Sequence, residues 1–199
     1  MNNEKKTKPE IIQAEVLPTD EAAYSGEYKL DWSHLKKDVP AWFRDAKFGL
    51  FFHYGPYCVP EKENEWYSRN MYTKGHTAYE HHKKTHGKVS EFGYKDFYDG
   101  LHAKNFNADD WAELLLRSGA KYGGPTAEHG DGFSLWNSKI NPANSVNYGP
   151  KRDMVRELEV AFKKRGIKYV TTFHHAWLWG WFGSSDPDAD VYDPKNEMF

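Results

Sequence analysis

Histidines and carboxylates fall at three places along this chain where a buried strand is expected to end. His53 closes the apolar run Phe48-Gly49-Leu50-Phe51-Phe52, Glu128 and His129 follow Lys121–Ala127, and His174 and His175 follow Ile167–Phe173. An imidazole offers one donor and one acceptor, the same pair that a hydroxyl group carries. A further histidine group, His81, His82 and His86, has a spacing compatible with one helical face. With a third ligand, such a pair of histidines can hold zinc. There is no His-Glu-x-x-His pattern, however, and Lys83 and Lys84 interrupt the group. It is read as a hydrated basic turn, and no metal or cofactor is assigned. The lone cysteine, Cys58, excludes an internal disulfide and a multi-cysteine metal site. It is expected to be a small buried packing residue.

These groups need elements that bring them together. The run Phe48–Phe52 is short, apolar and bounded by Gly55-Pro56, the pattern of a buried strand. A long polar and aromatic loop is expected from Tyr57 to about Phe92, and loops of that length tend to carry function. Asn107 can cap a helix, with Asp109 and Asp110 in its first turn, an apolar stripe of Trp111, Leu114, Leu115 and Ser118, and Gly119 as the stop. Lys121–Ala127 reads as a second strand, although Pro125 is unusual inside one. A second helix is expected from about Lys151 to Arg165, with Met154, Val155, Leu158, Ala161 and Phe162 on one face. Pro150 lies near its start and Gly166 just past its end. Ile167–Phe173 is the third strand. Trp177, Trp179 and Trp181 alternate, which suggests one face of an extended loop. They would form either an aromatic platform or packing beneath a helix.

Strands alternating with amphipathic helices indicate parallel βαβ units. In a (β/α)₈ barrel, polar residues at the strand ends gather at one face. A doubly wound sheet uses the same ends, but no glycine-rich phosphate loop follows the first strand. The chain has 199 residues, room for one core, and residues 1–36 read as a flexible charged leader. A net charge of -2 gives no reason to expect a nucleic-acid or anionic-membrane partner. No apolar stretch reaches the roughly 20 residues of a membrane span, and the polar first residues hold no signal-peptide core. Compartment and oligomeric state are left open. An aromatic content of 17%, including eight tryptophans, suits a large core or a surface that stacks sugar rings.

Four blocks carry a resemblance. Lys47-Phe48-Gly49-Leu50-Phe51-Phe52-His53-Tyr54-Gly55-Pro56-Tyr57 followed by Glu65-Trp66-Tyr67 is similar to the opening signature of glycoside hydrolase family 29, the α-L-fucosidases. Asp110–Leu114 with Gly119–Tyr122, Glu128–Trp136 and Gly149–Asp153 resemble the family's next blocks in order and spacing. The resemblance spans about Pro40 to Trp181. It implies that residues 37–199 are the N-terminal portion of a catalytic domain, a partial (β/α)₈ TIM-like barrel truncated after its first βα units. It further implies retaining release of terminal L-fucose from a fucosylated glycan or fucoside, without a cofactor.

By the same resemblance, His53 would hydrogen-bond sugar hydroxyls, and Glu65 and Trp66 would supply a carboxylate and an aromatic wall. Glu65 is also a candidate acid/base. His129 matches the first histidine of the family's His-His pair, but Gly130 stands in the place of the second. His174 and His175 end the strand that usually faces the sugar, one pointing in and one away. Asp131 and Gly132 are expected to shape their loop. Retaining hydrolysis needs two carboxyl groups about 5 Å apart, and no match to the family's nucleophile strand is found. The 199-residue chain is therefore expected to be inactive by itself. Two rival readings are a sugar-binding remnant without turnover and a half-barrel that closes by dimerising. The second suffers because Glu65 alone is a poor nucleophile.

Overall fold

The computed structural model describes residues 39–194, without the side chains of Trp177 and Trp179. The expected leader lies outside the described residues. From Ala41 onward the chain forms an α/β unit around a parallel sheet. Helix α1 (Ala41–Ala46) leads into strand β1 (Gly49–Phe52). Helices α2 (Tyr67–Asn70), α3 (Thr77–Thr85) and α4 (Ala108–Ser118) precede the long strand β2 (Tyr122–Glu128). Helix α5 (Met154–Lys164) and the short strands β3 (Lys168–Tyr169) and β4 (Thr172–Phe173) follow, then the short helix α6 (Leu178–Trp181). All pairings are parallel, and β2 is central, with β1 on one side and β3 and β4 on the other.

The capping signals act where expected. Asn107 accepts from the backbone N–H groups of Asp109 and Asp110 and starts α4, and Gly119 ends it in the left-handed region at φ 86°. Of the expected stripe, Leu115 is buried but Leu114 is 64% exposed, and Ala108 and Ala112 outside it are buried, so the buried face is rotated from the one expected. Helix α5 begins at Met154, later than the expected start near Lys151, because Asp153 is its cap, accepting from the Arg156 N–H. Its face of Met154, Leu158, Ala161 and Phe162 is buried.

The expected loop from Tyr57 to Phe92 contains two helices, α2 and α3, joined by turns. His76 caps α3 through its ring, and Tyr67, Met71, Tyr72 and Tyr79 turn inward to join the core. His82 is fully buried, with Nδ1 paired to the Tyr67 hydroxyl at 3.1 Å and Nε2 to the Phe92 carbonyl at 2.8 Å. That corrects the expectation of a hydrated turn, because both ring nitrogens are occupied within the core. Cys58 is exposed rather than buried.

The third strand is split. Pro125 falls between the part of β2 that pairs with β3 (Tyr122, Gly123) and the part that pairs with β4 (Thr126, Glu128). Its missing N–H therefore sits where that ladder is interrupted. The backbones are very close there: a β-carbon on Gly124 would lie 1.7 Å from the Val170 carbonyl oxygen. The tryptophan-rich segment is not extended. His175–Trp177 and α6 are helical turns, and this rotation buries Trp181 to 1% exposure. Among the described residues no helix is long and apolar enough to cross a membrane.

Candidate functional site

The C-terminal ends of the parallel strands place the histidines side by side. β1 delivers His53, after which Pro56 opens a tight helical turn, Pro56–Cys58. β2 delivers His129 one residue past its end. β4 delivers His174, whose N–H donates to the Glu128 carbonyl at 3.0 Å and so continues the pairing. The ring centroids of His53 and His129 are 5.2 Å apart, those of His129 and His174 4.6 Å, and those of His53 and His174 5.6 Å.

Glu65 arrives from the turn that opens α2, where the Trp66 carbonyl accepts from Arg69 and Asn70. Donor atoms of His53, Glu65 and His129 all lie within 4.8 Å of one another. Two imidazoles and a carboxylate at that spacing could be bridged by a divalent cation or by neighbouring hydroxyls of a sugar. His53 is exposed, Glu65 half-buried and His129 buried, so the cluster runs from solvent to the interior.

Burial, reinforced by His174 and His53, holds the His129 imidazole down at about 3. His174 is lowered too, by burial and then by His53, with Glu65 opposing. Both rings are therefore neutral at pH 7, each able to donate from one nitrogen and accept at the other.

Trp66 is 39% exposed and lies 4.9 Å from the Trp181 ring, which in turn meets His129 at 5.0 Å. Together the indoles form an aromatic wall beside the cluster. Of the two adjacent histidines, only His174 joins it. His175 Nε2 is 2.7 Å from Glu128 Oε1. Glu128 also accepts from the Ser134 hydroxyl, which fixes that carboxylate away from the imidazole cluster.

Asp131 shapes its loop, as expected. Its carboxylate accepts from the Tyr94 hydroxyl at 2.5 Å and from the Phe133 N–H at 3.2 Å. Burial pushes its pKa up to about 7, against the lowering effect of those hydrogen bonds. Sequence reasoning gave no role to Tyr57. Its buried ring lies 5.8 Å from His129, and its hydroxyl and His129 Nδ1 are buried without a protein partner among the described residues. The available signal was Pro56, which starts the turn that folds Tyr57 back over the strand end.

Comparison with known proteins finds relatives over most of this chain. A family model described as Alpha-L-fucosidase matches residues 15–199. The tissue alpha-L-fucosidase of Rattus norvegicus is 39% identical over 157 residues, covering 78% of this chain and 33% of the relative. The plasma alpha-L-fucosidase of Homo sapiens is 41% identical over 136 residues, covering 67% and 29%. The chain thus spans about a third of the length of the curated relatives it matches. Among solved structures, the Thermotoga maritima alpha-fucosidase, including its complex with fucose, superposes with a TM-score of 0.68 at 38% identity, over 74% of this chain and 37% of that one.

Proposed function

Because the chain belongs to the alpha-L-fucosidase family, we propose that its strand-end cluster is the sugar-recognition side of a site for terminal α-L-fucose. The carrying observation is the convergence of His53, Glu65 and His129 donor atoms within 4.8 Å. Two imidazoles and one carboxylate together supply donors and acceptors for vicinal hydroxyls. The exposed face of Trp66 suits the apolar face of a sugar ring. His174 completes the rim, and Glu65 is the candidate acid/base. His175, held by Glu128, has at most an indirect part.

The parallel sheet is read as the opening part of a (β/α)₈ barrel. Two features support this: the site lies at the C-terminal strand ends, and β1 pairs with β2 alone among the described residues while Phe51 stays 49% exposed. Retaining hydrolysis needs a second carboxyl group about 5 Å from the first. Glu128 and Asp131 are both buried and hydrogen-bonded within the protein, which makes them poor nucleophiles. The 199-residue chain is therefore assigned binding of a fucoside or fucosylated glycan without turnover.

The test pairs two assays on the same chain: saturation-transfer NMR with L-fucose, and release of nitrophenol from an aryl α-L-fucoside. Binding without release is expected. Absence of L-fucose binding would refute the recognition reading, and clear turnover would refute the assignment of inactivity.

A further inference from the structure

Gly130 stands where the resemblance leads one to expect a second imidazole, and the space above it is filled. A β-carbon on Gly130 would lie 2.5, 2.7 and 2.9 Å from Cε3, Cδ2 and Cζ3 of Trp181. All three atoms belong to the benzo ring of the indole, which is 1% exposed and cannot swing away as a chain end would.

Trp181 is fixed from its other side. Its Nε1 donates to the Ser68 hydroxyl at 2.9 Å, and the Arg69 guanidinium lies 5.9 Å from its ring centroid while donating to the Gly180 carbonyl. Trp181 touches two groups of the sugar cluster at once: His129 edge-on at 5.0 Å and Trp66 at 4.9 Å. His129 Nδ1 has no protein hydrogen-bond partner among the described residues. Packing against Tyr57, His174 and Trp181 must therefore fix the orientation of that ring.

We propose that Trp181 is a positioning residue of the sugar pocket: it occupies the volume of a side chain at position 130 and so holds the His129 ring and the Trp66 wall for the ligand. The inference rests on the sugar-site reading above. Gly130 is then half of a matched pair, because any side chain there would displace the indole. The pair exchanges a polar contact at position 130 for an aromatic wall. The pocket should accordingly tolerate loss of the hydroxyl that a second imidazole would bind better than it tolerates loss of the sugar's apolar face.

The experiment is a double-mutant cycle on the full chain: wild type, Gly130→Ala, Trp181→Ala and the double variant, with Trp181→Phe as a conservative substitution. L-Fucose affinity is read by calorimetry, and melting temperature confirms folding. The three-bond couplings that report χ1 of His129 are read without ligand. Trp181→Ala and Gly130→Ala should each weaken fucose binding about tenfold, and the double variant should be no worse than either, because both changes remove one shared arrangement. Trp181→Phe should recover most of the loss. His129 should show a single χ1 rotamer in wild type and rotamer averaging in Trp181→Ala.

Unchanged affinity in a folded Trp181→Ala, or two losses that simply add, would overturn the proposal. If wild type binds no L-fucose, the sugar reading fails by itself. The His129 couplings then still decide: averaging in Trp181→Ala sustains the positioning role, and a single rotamer in every variant ends it.

Discussion

Replacing His129 by alanine tests the cluster at its most buried member. The imidazole is only 4% exposed and is enclosed by the rings of Tyr57, His53, His174 and Trp181. Burial keeps it neutral, with a pKa of about 3, so at pH 7 it binds a hydroxyl as a donor–acceptor pair and not as a cation. Losing one such hydrogen bond costs about 0.5–1.5 kcal/mol, or roughly 1–3 kcal/mol if the sugar hydroxyl is left buried and unpaired. In binding terms that is about a 2- to 13-fold weakening, or roughly 5- to 160-fold in the second case. His129→Gln keeps a donor and an acceptor and should recover part of the loss. The assay is isothermal titration with L-fucose at pH 7, repeated at pH 5. His129 stays neutral across that range, so its contribution should be the same at both values. Wild-type affinity in a folded His129→Ala would refute the reasoning. So would a His129-dependent affinity that changes between pH 7 and 5.

Phe162 is fully buried and meets the Tyr169 ring at 5.6 Å, so Phe162→Ala should lose about 3–5 kcal/mol in urea unfolding; a loss under 1 kcal/mol would contradict the placement of α5. Asn107→Ala removes the cap of α4 and should cost about 1 kcal/mol in the same assay, with no change in sugar affinity. Stability should also depend on pH through two opposed groups. Burial lowers His82 to about 4 and His129 to about 3 from an ordinary 6.5, so their contribution is full above pH 6.5 and is lost as pH falls toward those values. Burial raises Asp131 from 3.8 to about 7, so its contribution is full below pH 3.8 and is lost as pH rises through 7. Compared with Asp131→Asn, wild type should therefore lose stability between pH 5 and pH 8, and parallel urea midpoints across that range would remove Asp131 from the account.

Much of the frame was legible because its signals are local. Asn107 and Gly119 bound α4 through hydrogen bonds and backbone angles confined to a few residues, and the short run ending at His53 is a strand for reasons its own composition supplies. The same locality explains the misses. Leu114 and Leu115 are equally apolar, and it is packing over Gly123 of β2, remote in pattern from the helix itself, that marks Leu115 as the one buried. His82 looked like part of a basic turn because its partners, the Tyr67 hydroxyl and the Phe92 carbonyl, are 15 and 10 residues away. Alternation among Trp177, Trp179 and Trp181 suggested an extended segment, but contacts from Ser68 and Arg69 hold the chain there as a helical turn. Within the site, the strand-end rule found His53, His129 and His174. It could not separate His174 from His175, because that choice depends on Glu128 capturing the second ring. Gly130 was visible as a departure, but the indole that fills its space lies 51 residues further along the chain and was not.

The central claim is that the ends of three parallel strands and the turn before α2 form one fucose-recognising cluster. The most direct test is an NMR titration of the histidine-labelled chain with L-fucose, using D-fucose as the enantiomeric control. His81, on α3, serves as an internal reference. The account predicts saturable shifts of the His53, His129 and His174 ring signals with L-fucose, much weaker ones with D-fucose, and none at His81. Silent signals at His53 and His129 under saturating L-fucose, or an equal response to both enantiomers, would contradict it.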